Sequence, residues 1–241
     1  MHSRGAPYYL PTAGVWRPEG AALLATVRAL IWKDLVSSGR RPAELASIGV
    51  FAAAAAIVVS YATRFTSAHS AVYAVSYFLV PVFLAIFAAL FSFIREAEEG
   101  TLEGLRASPA PPELIYFSKL VYSYILIEVV VVLYTVLLLF FTGVDPRLLN
   151  PWLHVLVASY SFYLAAVSSL ASAMLTYSGS RGVLVPVLIM VLILPASQAY
   201  IPAYLDALSG IIHGGLTLGL WGLGGAYAFV ASALSRILLE A

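Results

Sequence analysis

Residues 72–94 read VYAVSYFLVPVFLAIFAALFSFI, and the chain continues Arg95-Glu96-Ala97-Glu98-Glu99. The first stretch carries no charge over its whole length. About 20 apolar residues suffice to cross a bilayer as a helix. The abrupt return of charge at Arg95 marks the point where the chain leaves the hydrocarbon.

Five more stretches have the same character: 45–63, 119–141, 152–175, 183–204 and 211–234. The composition agrees, with 61% hydrophobic and 10% charged residues and a mean hydropathy of +0.93. A soluble domain is nearer half apolar and a quarter charged. An all-α integral membrane fold with six transmembrane helices is therefore expected. The net charge of +1 argues against a nucleic-acid partner. With no cysteine in the chain there is no disulfide, thiolate metal site or covalent haem attachment.

Six spans place both termini on one side. Arg4, Arg17, Arg28, Lys33, Arg40, Arg41, Arg95, Arg106, Lys119, Arg181 and Arg236 fall on that side, and only Arg64 and Arg147 on the other. Positive charge collects in the cytosol, so both termini of a multi-pass plasma-membrane protein are expected there. Residues 1–20 hold Pro7, Pro11 and Pro18 and no long apolar run, so they read as a flexible cytosolic tail rather than a secretory signal. Residues 21–241 read as a single membrane domain. Its opening segment, 21–36, puts Leu23, Val27, Leu30, Ile31 and Leu35 on one helical stripe, with Arg28, Lys33 and Asp34 off it. With Trp32 at headgroup level, it reads as an amphipathic helix lying on the cytosolic membrane surface, a contact with membrane lipid.

Pro186 and Pro195 fall within the fifth span and Pro202 near its outer end, which predicts a kinked or divided helix. The pairs Gly210/Gly214 and Gly215/Gly219 in the sixth have the spacing that lets helix backbones approach.

The loop at 95–118 is the most informative segment. Glu96, Glu98, Glu99 and Glu103 are a third of the 12 acidic residues in the chain. Leu102 and Leu105 supply a short apolar edge at helical spacing, and Pro111-Pro112 can open the next helix without losing a bond. A short charged helix held between two spans suits docking to a partner, its charges setting register. Neither Lys33 nor Lys119, the two lysines of the chain, lies in a Gly-x-x-x-x-Gly-Lys-Ser/Thr motif. ATP, if used, is bound by another polypeptide.

From Glu96 to Lys119 the pattern Glu-x-Glu-x-Gly-Thr-Leu-Glu-x-Leu-x-x-Ser-Pro-x-Pro-Pro-Glu, then Lys, resembles the coupling segment of ABC-2-type (type V exporter-like) permeases. Within that superfamily it is most similar to the haem exporter protein B (CcmB) family of cytochrome c maturation. Lys33-Asp34-Leu35 with Arg40-Arg41-Pro42 resembles that family's opening. Residues 181–189 with Leu194-Pro195 resemble its fifth span, where Met190 and Ser197-Gln198 depart from its apolar run.

The resemblance implies an ATPase-docking element built from Glu96, Glu98, Glu99, Gly100, Thr101, Leu102, Glu103 and Leu105. It implies as partners an ABC ATPase subunit, a CcmC-like haem-handling membrane subunit and a small accessory subunit, and a homodimer or a second permease to complete the transporter. Haem would be substrate rather than resident cofactor, with ATP on the partner. A permease for lipid, drug or glycan and a membrane scaffold without an ATPase are the competing readings.

Glu128 falls near mid-bilayer, where a charged carboxylate costs roughly 2.5–3.5 kcal/mol on insertion scales. It should face the bundle interior or a partner. His69, His154 and His213 map to the extracytosolic side and are candidate haem contacts, since imidazole is a common ligand of haem iron. No catalytic constellation and no metal-ligand spacing is visible.

Overall fold

The structure, a computed structural model, describes residues 20–108, 110–143, 145–176 and 181–240. The expected tail, 1–20, lies almost wholly outside the described residues. The chain is helical: α1 Gly20–Gly39, α2 Pro42–Arg64, α3 His69–Ala89, α4 Arg95–Glu98, α5 Leu102–Arg106, α6 Pro112–Thr142, α7 Pro151–Leu175, α8 Arg181–Leu208 and α9 Gly214–Glu240. Among the described residues, six helices are long and apolar enough to cross a membrane. They are α2, the continuous run His69–Glu98 that joins α3 to α4, and α6 to α9.

Helix ends follow local chemistry. Pro42, Pro112 and Pro151 each stand in a first turn, where a missing donor loses nothing. Asn150 caps α7 by accepting from the Trp152 amide at 3.0 Å and donates to the Ala207 carbonyl of α8 at 3.3 Å. Gly143 and Gly210, both at positive φ, end α6 and open the link into α9.

α7 is the most buried span, and α3, α6, α8 and α9 pack around it. At the end opposite α4 and α5, tyrosines fill the core. Tyr160 stacks on Tyr200 at 4.1 Å and Tyr77 on Tyr204 at 5.3 Å. Tyr77 donates to Thr135 at 2.7 Å and Tyr200 to the Tyr77 carbonyl at 3.1 Å. These bonds satisfy the Tyr77 and Tyr200 phenols, whereas the hydroxyls of Tyr134, Tyr160 and Tyr204 are buried with no partner among the described residues.

Two expectations are corrected. The fifth span, α8, is not divided: it is one continuous helix through Pro186, Pro195 and Pro202. The Tyr163 hydroxyl of α7 donates to the Leu192 carbonyl one turn before Pro195, tying α8 to α7 there. The break falls instead in the second span, where Leu90–Ile94 forms a π turn with Ser92 outside helical geometry (φ −91°, ψ −123°). Ser172 of α7 fills the gap there: its Oγ donates to the Ala89 carbonyl at 2.7 Å and accepts from the Ile94 amide at 3.3 Å. A side chain inserted into the backbone ladder is a recognised cause of a helix kink.

The glycine pairs, expected to bring helices together within the chain, are the second correction. A Cβ built on Gly210, Gly214, Gly215 or Gly219 meets nothing within 4 Å. The close approach is at Gly224, where a Cβ would lie 2.8 Å from Phe162 Cδ1 and 3.1 Å from the Tyr163 Cα. That contact joins α9 to α7.

Candidate functional site

The acidic segment folds as two short helices, α4 and α5, joined at Gly100. Gly100 adopts φ +71°, a region open to glycine and strained for other residues. The Thr101 amide donates to the Glu96 carbonyl at 3.0 Å and closes the turn. The element thus follows the second span just past its kink at Leu90–Ile94 and turns at Gly100.

Its eight candidate residues divide by face. Leu102 and Leu105 are buried in a small apolar cluster with Phe93, Ile115, Tyr116 and Leu120. Burying a leucine this way stabilises by about 1.5–3 kcal/mol, so α5 is held onto the bundle by its apolar edge. Glu96 is buried as well, at 6% exposure. Glu98, Glu99, Gly100, Thr101 and Glu103 are exposed. Glu96, Leu102 and Leu105 thus face the bundle, and the other five form an outward edge.

Glu96 is held by both lysines of the chain. Its Oε1 accepts from Lys33 at 2.6 Å and from Lys119 at 2.7 Å. Lys119, 2% exposed, also lies 3.0 Å from both carboxylate oxygens of Asp34. Lys33 stands 3.3 Å from the same Asp34. Two ammonium groups thus face two carboxylates, balancing the charge that burial would otherwise penalise. Lys119 further sits 6.0 Å from the centre of the Phe93 ring, a cation–π contact.

Burial works against the Lys33 ammonium. Its hydrogen bond to Glu96 and the charges of Asp34 and Glu96 outweigh that, and hold its pKa above the ordinary lysine value. Its share of the network is thus present below the ordinary lysine range and is lost only as pH rises through the raised value.

Asp34 changes the reading of α1. The stripe of Leu23, Val27, Leu30, Ile31 and Leu35 places Asp34 off the packing face, yet Asp34 is buried at 2% exposure. Ser38, one turn on, shares a 2.5 Å hydrogen bond with Tyr122 of α6. α1 therefore docks on α6 through polar residues, while Leu24 and Trp32 remain exposed, Trp32 at 68%. The reason is Lys119: a buried ammonium demands a carboxylate, and that requirement overrides the apolar period.

A second ionic set holds the other flank. Arg41 pairs with Glu99 and, at 3.1 Å, with Glu44, while Arg95 lies 3.5 Å from Glu44. The start of α2 is thereby tied to α4.

The remaining candidates do not converge. Glu128 on α6 is partly buried. Its Oε2 and the Ser161 Oγ of α7 are buried with no hydrogen-bond partner among the described residues. His69 and His154 are exposed near the starts of α3 and α7. His213 Nε2 lies 2.8 Å from Asp206 Oδ2, bridging the end of α8 to the start of α9. Among the described residues no three of His, Cys, Asp and Glu group as metal ligands.

Lys33, Asp34, Lys119, Arg41, Glu44 and Arg95 were not among the candidate site residues. The available signal was scarcity: a chain with two lysines places both against its acidic segment.

The family description "ABC-2 type transporter" matches residues 25–204. That stretch takes in α2 to α7 and the acidic segment. No curated protein matches the chain. With the match spanning most of its length, the chain belongs to the ABC-2 type transporter family of membrane domains.

Proposed function

We propose that this permease is driven by a separate ABC ATPase that docks on the outward edge of residues 95–108, and that its cargo is haem. The observation that carries the docking reading is the two-faced element. It is fixed inward by Glu96, Leu102 and Leu105 and presents Glu98, Glu99 and Glu103 outward. A lever must be rigid where it joins the bundle and accessible where it is pushed, and charged groups at the accessible edge set partner choice.

The charge split of eleven basic residues against two supports a cytosolic lever and cytosolic termini. Exposed Leu24 and Trp32 support α1 lying in the headgroup layer of that leaflet. One chain with six spanning helices supplies one membrane half, so the working unit holds two copies or a second permease.

Haem rests on the similarity of Glu96–Lys119 to the haem exporter protein B family. A CcmC-like haem-handling subunit and a small accessory subunit would complete the complex. His69, His154 and His213 stand at the end of the bundle opposite the lever, where a haem acceptor would act.

The test is purification of the tagged permease in mild detergent from its own cells. The expected product contains an ATPase and a haem-handling subunit and shows haem absorbance. A complex with the ATPase but neither haem nor a haem-handling subunit sinks the haem reading and leaves the permease reading standing.

A further inference from the structure

We infer that Lys119 is a positioning residue that fastens α1 and the α4–α5 lever into one mechanical unit. Three elements distant in sequence meet at its ammonium: Asp34 of α1, 85 positions away, Glu96 of α4, 23 away, and α6 itself. Lys33 reaches across from α1 to the same Glu96 oxygen, 63 positions on. Beside the apolar packing of Leu30 on the Leu102–Leu105 cluster, the contact between α1 and the lever is thus ionic, and Lys119 joins both carboxylates from α6.

Buried ion networks are poor sources of net stability, because desolvation offsets the attraction. Their better-attested use is to fix register between elements. Here the register is that of a surface helix against the lever. A displacement of α5 by its partner is passed through Glu96 and Asp34 to α1, and a displacement of α1 is passed back. This role rests on the docking reading for its functional half, and on geometry alone for its mechanical half.

The chain contains no cysteine, so paired labels can be added without removing any residue. Spin labels at Ala29→Cys on α1 and Ala107→Cys beside α5, both exposed sites, report the distance between the two elements in the full-length permease in nanodiscs. The native network should give a single narrow distribution. The neutral variant Asp34→Asn/Glu96→Gln/Lys119→Met should at least double its width. A control pair at Ser67→Cys and Leu149→Cys, at the opposite end, should stay narrow in both. An unchanged α1–α5 width in the neutral variant overturns the inference.

If the control pair also broadens, the single variant Asp34→Asn decides, because it leaves the Glu96–Lys119 pair intact. Broadening there supports the network, and an unchanged width removes it.

With the ATPase bound, the neutral variant should still capture it but lose at least fivefold in permease-dependent ATP turnover. Full turnover with a broadened distribution overturns the functional half. Failure of the native chain to capture any ATPase is a failure of the docking reading, and the distance result still decides the network.

Discussion

Lys119→Met alone should lower the stability of the permease by about 3–5 kcal/mol, the range seen when one partner of a buried ion pair is removed. The variant leaves Asp34 and Glu96 buried, at 2% and 6% exposure, with only the half-exposed Lys33 to balance them. Methionine matches the lysine stem in length, so the packing against Phe93 survives and the loss is electrostatic. The companion variant Asp34→Asn/Glu96→Gln/Lys119→Met removes the charges together and should stay within about 1–2 kcal/mol of the native chain, because the desolvation penalty goes with them. Thermal unfolding in detergent, followed by circular dichroism, measures both. A single variant as stable as the native chain would mean that Lys119 is not sequestered.

Gly224→Leu should be the most damaging change in the last span, at about 1–3 kcal/mol for forcing atoms into a packed contact. Its Cβ would stand 2.8 Å from the Phe162 ring and 3.1 Å from the Tyr163 backbone. The ring has little room to retreat, lying 4.8 Å from Trp221 and 6.0 Å from Tyr124 between ring centres. The same substitution at Gly219, where nothing stands within 4 Å, should be nearly silent. Melting temperatures of the two variants in one detergent separate them. Equal losses would show that α9 does not pack on α7 through Gly224.

The spans were legible because length and hydropathy depend on nothing but the local chain. Stretches such as 72–94 and 119–141 lie within helices of the fold. The acidic segment was legible as a motif, and Leu102 with Leu105 did form its apolar edge. What one sequence could not carry was partner choice across long separations. Asp34 reads as a solvent-facing charge until Lys119, 85 positions on, is brought beneath it. Glu96 reads like its neighbours Glu98 and Glu99 until two lysines converge on it.

Punctuation residues misled in both directions. Three prolines left α8 continuous, and Ser92 marked the true break without a proline or glycine beside it. At the kink the neighbouring helix α7 fills the gap, through Ser172. The glycine spacing failed for a similar reason. Close approach depends on which face meets a neighbour, and only a folded α9 puts Gly224 against Tyr163.

In the proposed function, an ATPase takes hold on the outward edge of residues 95–108. The direct measurement is capture of that ATPase by the detergent-solubilised permease, native against Glu103→Lys. This side chain is exposed and stands apart from the Lys119 network, so reversing it leaves the anchor untouched. The native chain should retain an ATP-hydrolysing partner, and the reversed chain should lose at least nine-tenths of it with an unchanged melting temperature. Equal capture by both chains would contradict the account.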